Sequence, residues 1–406
     1  MPTPPRLSGV VLRAAAHAAR TRAGSSIAYL TFKSDLKIDE LAALPEHARA
    51  DLQLHNRPLA GRPPRSPRSA DLPLPKHDSW PPTSAKICAA YTSGTLSPED
   101  AVDRCLQSAR DLANRKPSIG PLTHDNGETA RKEARASKDR YAKKKALGPL
   151  DGVPIVIKEE TAVAGLPCRG GTSFFGDEPA EEDATTVARL RAAGAVVIGI
   201  SVMTEYGMSP LGQNAQRTMP KNPHNPGFVA GGSSTGTGVA VATGLVPTGL
   251  GCDGGGSIRI PAANCGVFGI KPTWGRVSRA GDIFTGSSVA HLGPLASSTE
   301  DLARMLEVIG GKDPADDETR ESPQIEPNSL VNACKRGVKG LRIAIDETQW
   351  DGASADVQRA GRAALAALEK EGAELVTTHI EMLKHASQIG YVTIGIEARG
   401  ALRDHW

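Results

Sequence analysis

An α/β fold, a mixed sheet covered by helices on both faces, is predicted by three features of this 406-residue chain. Helix and strand signals alternate from about residue 83 onward, which argues for a layered sheet rather than a bundle or a sandwich. The run Gly152 to Ile157 is uninterruptedly apolar, as a short buried strand is. Ser97-Pro98-Glu99-Asp100 is a helix start, with a capping serine and proline in the first turn.

The elements follow in order. A helix opens at Ser97, and the basic run Arg131 to Lys145, with Glu133 and Asp139 among its positives, reads as a solvated helix face. The strand Gly152 to Ile157 comes next and ends on Lys158. Asp183 is expected to cap a helix that ends at Gly194, followed by a strand from Ala195 to Ile200. Further on, a strand at Leu341 to Ile345, a helix from about Asp356 to Glu371 and a strand at Ala373 to Thr378 continue the alternation.

Upstream, residues 1–82 read as an extension. The first 34 residues hold no acid and four arginines, a composition like that of an organellar presequence and equally like that of a surface helix. Eight prolines between Pro58 and Pro82 make an extended linker or belt. The main domain is placed at residues 83–406. The expected compartment is cytoplasmic, with a presequence left open: the six cysteines lack C-x-x-C spacing, so neither a zinc site nor a disulfide framework is indicated. A formal charge of +3 is too balanced to argue for nucleic acid or membrane partners, and no apolar stretch approaches a membrane span.

Two glycine-serine segments carry the chemistry. Gly254-Gly255-Gly256-Ser257 follows Gly231-Gly232-Ser233-Ser234, with Ser233 24 positions upstream of Ser257. Three consecutive glycines are a poor helix or strand interior. Their unobstructed N-H groups suit an anion-binding nest beside the Ser257 hydroxyl, which would make Ser257 a nucleophile. A serine needs a base. Gly-x-Ser-x-Gly is absent around Ser257, and His124, His224 and His291 stand isolated, so a Ser-His-Asp arrangement is disfavoured. Lys158, at the end of a buried strand, is the candidate base. Burial penalises its ammonium and is expected to lower its pKa, with Ser233 bridging the two by donating and accepting hydrogen bonds.

These residues resemble the amidase signature family, the serine hydrolases with a Ser-cisSer-Lys triad. The resemblance covers Gly148 to Lys158, Asp183 to Ala195, Asn222-Pro223, Gly231 to Gly275 and Gly293 to Leu302. It implies Ser257 as nucleophile, Ser233 on a cis peptide as bridge, Lys158 as base, and an oxyanion hole at the amides of Gly254, Gly255, Gly256 and Ser257. Ser234, Asp253 and Arg259 take supporting roles. It also implies hydrolysis of linear carboxylic amides through an acyl-enzyme, a small-molecule amide substrate, and neither metal nor cofactor. Homo-oligomerisation is left open. The family fold normally continues past the point where this chain stops, so the domain is expected to be incomplete at its C-terminal end.

Some residues depart from the family pattern. Glu159 and Glu160 follow the lysine where an aspartate and a small or amide residue are more usual, while Thr235 and Gly254 replace a small residue and a threonine. A carboxylate reaching Lys158 would keep it charged, so both glutamates are expected to point elsewhere. Gly249 to Gly254 spells G-x-G-x-x-G but runs into Ile258-Arg259-Ile260-Pro261 without the strand-turn-helix context of a dinucleotide site. Cys252 and Cys265 read as small core residues. Two rival functions remain: one chain of a glutamine-dependent aminoacyl-tRNA amidotransferase, and a catalytically inactive scaffold.

Overall fold

The computed structural model describes residues 83–283 and 288–401. The expectations for residues 1–82, including the proline-rich stretch, lie outside the described residues.

Thr83 caps α1 (Ser84–Ser93), its hydroxyl accepting the Lys86 N-H at 3.3 Å. Ser97 caps α2 (Pro98–Asn114) by accepting the Asp100 N-H at 3.1 Å, as its start signal implies. After β1 (Leu122–Asp125), α3 (Gly127–Ala142) holds most of the basic run. It buries Ala130, Ala134 and Ser137, leaves Lys132, Arg135, Lys138 and Asp139 exposed, and turns Arg140 inward onto the buried Asp151 and Glu133 onto Arg191. Next come β2 (Pro154–Lys158), α4 (Thr185–Ala192) and β3 (Val196–Ser201). Asp183 does not cap α4. Its Oδ1 instead accepts the Ala164 N-H at 2.8 Å and its Oδ2 pairs with Arg191 at 2.8 Å, so it ties a loop to the helix.

Further along lie α5 (Thr235–Ala242), β4 (Thr248–Asp253), α6 (Arg259–Cys265), β5 (Phe268–Gly269), β6 (His291–Ala296) and α7 (Thr299–Ile309). The chain then forms α8 (Ser329–Lys335), β7 (Arg342–Ile345), α9 (Ala355–Lys370), β8 (Glu374–Thr377) and α10 (Ala386–Ala401). β7 and β8 pair in parallel as a separate two-stranded sheet.

The main sheet has strand order β1-β3-β2-β4-β6-β5. β2 pairs in parallel with both β3 and β4, whereas β1, β5 and β6 join antiparallel, so the sheet is mixed. Alternate residues of β2 serve different cores. Ile155 and Ile157 pack with Val187, Leu190 and Met305 from α4 and α7. Val156 packs with Leu106, Ala130 and Ala240 from α2, α3 and α5. Both faces are therefore covered by helices, and β2 is apolar up to its last residue, Lys158, for that reason.

The glycines of G-x-G-x-x-G lie in and just after β4 rather than at the start of a helix. A Cβ on Gly249 would meet Val156 Cγ2 at 2.7 Å, and one on Gly251 would meet Ser234 Oγ at 2.9 Å. Close packing between strand and helix requires them.

Candidate active site

The neighbouring parallel strands β2 and β4 present Lys158 and Asp253 at their carboxyl ends, the edge at which open α/β sheets carry ligands. Lys158 is 1% exposed. Its Nζ donates to Ser233 Oγ at 2.7 Å and to the Cys252 carbonyl at 3.2 Å. It also lies 2.6 Å from Glu160 Oε1.

That last contact corrects the sequence expectation. Burial by itself would lower the Lys158 pKa, but the Glu160 carboxylate at 2.6 Å outweighs it and holds the lysine above its ordinary range. Glu159 does point elsewhere, with both carboxylate oxygens 2.6 Å from Arg217 Nη1. Strand alternation does not account for this split, because β2 ends at Lys158 and residues 159–160 lie in a turn closed by the Thr161 N-H on the Lys158 carbonyl at 3.0 Å.

Ser233 sits just before α5, and the Gly232-Ser233 peptide is cis. A Cβ on Gly232 would lie 2.5 Å from the Ser209 carbonyl, so only glycine allows this close approach. The two serine segments are joined through the main chain, with Ser234 N-H donating to the Ser257 carbonyl at 3.2 Å. Ser234 Oγ donates to the Cys252 carbonyl and accepts the Cys252 N-H, each at 3.3 Å, which fastens the segment to β4.

Ser257 and Ser233 line one cavity of about 50 Å³. Lys158, Glu160, Gly254 and Gly255 contribute its polar side, and Met208, Val289 and Ile394 its apolar side. Among the described residues Ser257 Oγ makes no hydrogen bond with Ser233, so the structure contains the lysine-to-serine link but not the serine-to-serine link. Gly256 also departs from expectation: its N-H donates to Asp253 Oδ1 at 2.8 Å and is not an available oxyanion donor.

Asp253 organises this turn. Besides Gly256, it accepts the N-H groups of Ile258 at 3.1 Å and Arg259 at 3.3 Å. Burial by itself would raise its pKa, but the Arg259 guanidinium and these amides hold the carboxyl below the ordinary range.

The cysteines offer no competing nucleophile here. Burial pushes the Cys265 thiol up to about 12 and the Cys252 thiol well above the ordinary range. His224 Nε2 meets the Cys265 carbonyl at 2.8 Å. One group that sequence reasoning missed is Asp282. It and Glu160 and Cys252 bring one side-chain atom each to within 4.8 Å of one another. It is drawn in by the Thr161-Asp282 bridge, in which Thr161 Oγ1 donates to Asp282 Oδ1 at 2.7 Å, a tertiary contact with no local sequence signal.

Comparison with known proteins agrees with this architecture. A family model described as Amidase matches residues 106–405. One chain of the glutamyl-tRNA(Gln) amidotransferase of Chloroflexus aurantiacus is 38% identical over 315 residues, covering 77% of this chain and 63% of that protein. A solved chain from a vestigial protein complex bearing on the evolutionary origins of an s-triazine catabolic enzyme is 35% identical, with TM-score 0.73 over 79% of this chain and 69% of its own. Native peptide amidase from Stenotrophomonas maltophilia is 28% identical, with TM-score 0.73 over 82% of this chain and 69% of its own. The chain thus spans 63% of the length of the Chloroflexus relative. By the family match and by its identity to relatives across most of its length, the chain belongs to the Amidase family.

Proposed function

We propose that this site cleaves the C-N bond of a small linear carboxamide through an acyl-enzyme on Ser257. The observation that carries the reading is the 2.7 Å hydrogen bond from Lys158 to Ser233 beside a cavity that Ser257 also lines. Ser257 Oγ attacks the carbonyl carbon and passes its proton to Ser233, whose own proton goes to Lys158 Nζ. Main-chain N-H groups at Gly254 and Ser257 border the position where the oxyanion forms. As the tetrahedral intermediate collapses, the C-N bond breaks and the leaving nitrogen takes a proton back through Ser233. Water then clears the acyl group by the same relay. Lys158 is charged at rest and must shed a proton before it accepts one, which places the productive range on the alkaline side.

The experiment is intact-mass detection of a fluorophosphonate adduct on the wild type and on Ser257→Ala. An adduct on the wild type alone is the expected result, and equal labelling of both proteins overturns the assignment. A second reading, favoured by identities of 36 to 38% to glutamyl-tRNA(Gln) amidotransferase chains, is an ammonia-delivering component of a larger assembly. Glutamine-dependent ammonia release together with co-purifying partner chains distinguishes it from a free-standing amidase.

A further inference from the structure

The described site contains a buried carboxylate that the relay does not use. Glu160 is 4% exposed and its Oε1 lies 2.6 Å from Lys158 Nζ, on the same ammonium that donates to Ser233. It is placed there by two main-chain contacts. The Thr161 N-H donates to the Lys158 carbonyl at 3.0 Å, closing a turn just after β2 that sets Glu160 beside Lys158, and the Glu160 carbonyl accepts the Ile283 N-H at 2.7 Å, which clips this turn to the segment carrying Asp282. A Cβ on Gly207 would sit 3.8 Å from Glu160 Oε2 and 3.2 Å from Ser233 Oγ, so the glycine closes the carboxylate and the hydroxyl into one compartment.

We propose that Glu160 is a positioning residue that holds Lys158 as an ammonium against Ser233 at rest and thereby sets the pH at which the base becomes competent. The inference rests on the serine-lysine relay proposed above. Attraction between unit charges at this separation, away from bulk water, is far stronger than in solvent, so removing the carboxylate releases the lysine proton more readily.

The groups facing this pair from other elements do not replace it. From β4, the Cys252 carbonyl accepts from Nζ at 3.2 Å and the Cys252 thiol stays protonated because burial pushes it well above the ordinary range. From the loop after β2, the Cys168 thiol is likewise raised by burial, aided by Asp282 and the two glutamates. From the loop before β6, Asp282 is driven toward its neutral form by burial and by the Glu160 carboxylate, against the weaker opposing effects of Thr161, Lys158 and Arg279. Asp253 spends its carboxylate on Arg259 and on main-chain amides. Glu160 is the remaining carboxylate in contact with the ammonium among the described residues.

The test is the rate of fluorophosphonate labelling from pH 6 to pH 10.5 for the wild type, Glu160→Gln and Asp282→Asn, with far-ultraviolet circular dichroism as the folding control. The wild-type rate is expected to keep climbing through the alkaline range. Glu160→Gln is expected to move that rise down by at least one pH unit, raising the labelling rate near pH 7.5 about tenfold, since each unit of pKa is a factor of ten in the neutral fraction. Asp282→Asn, which removes a carboxyl outside ion-pair contact with the ammonium, is expected to move the rise by less than Glu160→Gln does. A wild-type rate that levels off at or below pH 7.5 overturns the inference even if Glu160→Gln does not fold. A rise unchanged in folded Glu160→Gln overturns it while leaving the relay standing, whereas a wild type that labels at no pH removes the relay and this inference together.

Discussion

Arg259 grips Asp253 with two hydrogen bonds, Nε to Oδ2 at 3.0 Å and Nη2 to Oδ1 at 2.9 Å. The carboxylate is fully buried, while the guanidinium side chain is 38% exposed. Planar two-point pairing of this sort fixes direction as well as distance. It locks the turn that carries Gly254 to Ser257.

Arg259→Gln is therefore expected to destabilise the protein by roughly 1.5–3 kcal/mol at pH 7, the range for hydrogen bonds to a charged group, with solvent at the guanidinium keeping it from being larger. The effect has a pH signature. Asp253 has a depressed folded pKa, so its contribution is complete above its unfolded value of about 3.9 and drains away as pH falls through the lower folded value. Urea unfolding at pH 7 and pH 3 should show the gap between wild type and variant shrinking in acid. A gap that stays constant counts against the assignment.

Ser233→Ala removes the atom that receives the Lys158 hydrogen bond and leaves the lysine facing a methyl group. Labelling of Ser257 is expected to slow by about 10²- to 10⁴-fold, the usual contribution of positioned proton transfer. Stopped-time labelling followed by mass spectrometry reads this directly. Loss of less than a factor of three would mean that the proton of Ser257 leaves by another route.

Gly207 has φ of 70°, and a Cβ there would approach Ser233 Oγ at 3.2 Å. Gly207→Ala should lower the unfolding free energy by about 1–2 kcal/mol from the left-handed backbone. It should also slow labelling, because the new methyl presses on the bridging hydroxyl. Unchanged labelling alongside reduced stability would separate the backbone effect from the site effect.

Ile394 reaches the site from α10. Its Cδ1 lies 3.3 Å from where a Gly255 Cβ would stand and 4.0 Å from the corresponding point at Gly254. In a cavity of about 50 Å³ such a side chain limits what can enter. Ile394→Ala is expected to raise the labelling ratio of a bulky phosphonate over a small one by about tenfold, in line with the worth of a methylene or two in an apolar pocket. An unaltered ratio would place the size limit elsewhere.

How much of this is legible in the sequence differs from residue to residue. The buried strand ending in Lys158 declares itself through continuous apolar character, because a strand covered on both faces has no polar side to show. Helix α2 does so through its cap. Asp183 misleads because an acidic residue before a helix can bond a distant amide as readily as its own helix, and only the folded loop decides. Gly256 reads as a free donor until Asp253 is noticed three residues before it, a spacing at which aspartate side chains commonly take nearby main-chain N-H groups. The Lys158-Glu160 contact is made by the turn that follows β2, which strand alternation does not foretell. Asp282 is not legible either, since it arrives through a bridge to Thr161 across 121 residues.

The alternation along β2 also constrains how the protein can change. Ile155 and Ile157 belong to one hydrophobic compartment and Val156 to the other. One residue inserted upstream within this strand would swap the contents of the two compartments and swing the terminal amine away from its hydroxyl partner. The reactive end of the strand is thus guarded by oil on both flanks: drift in its spacing meets a folding penalty before it ever reaches the chemistry.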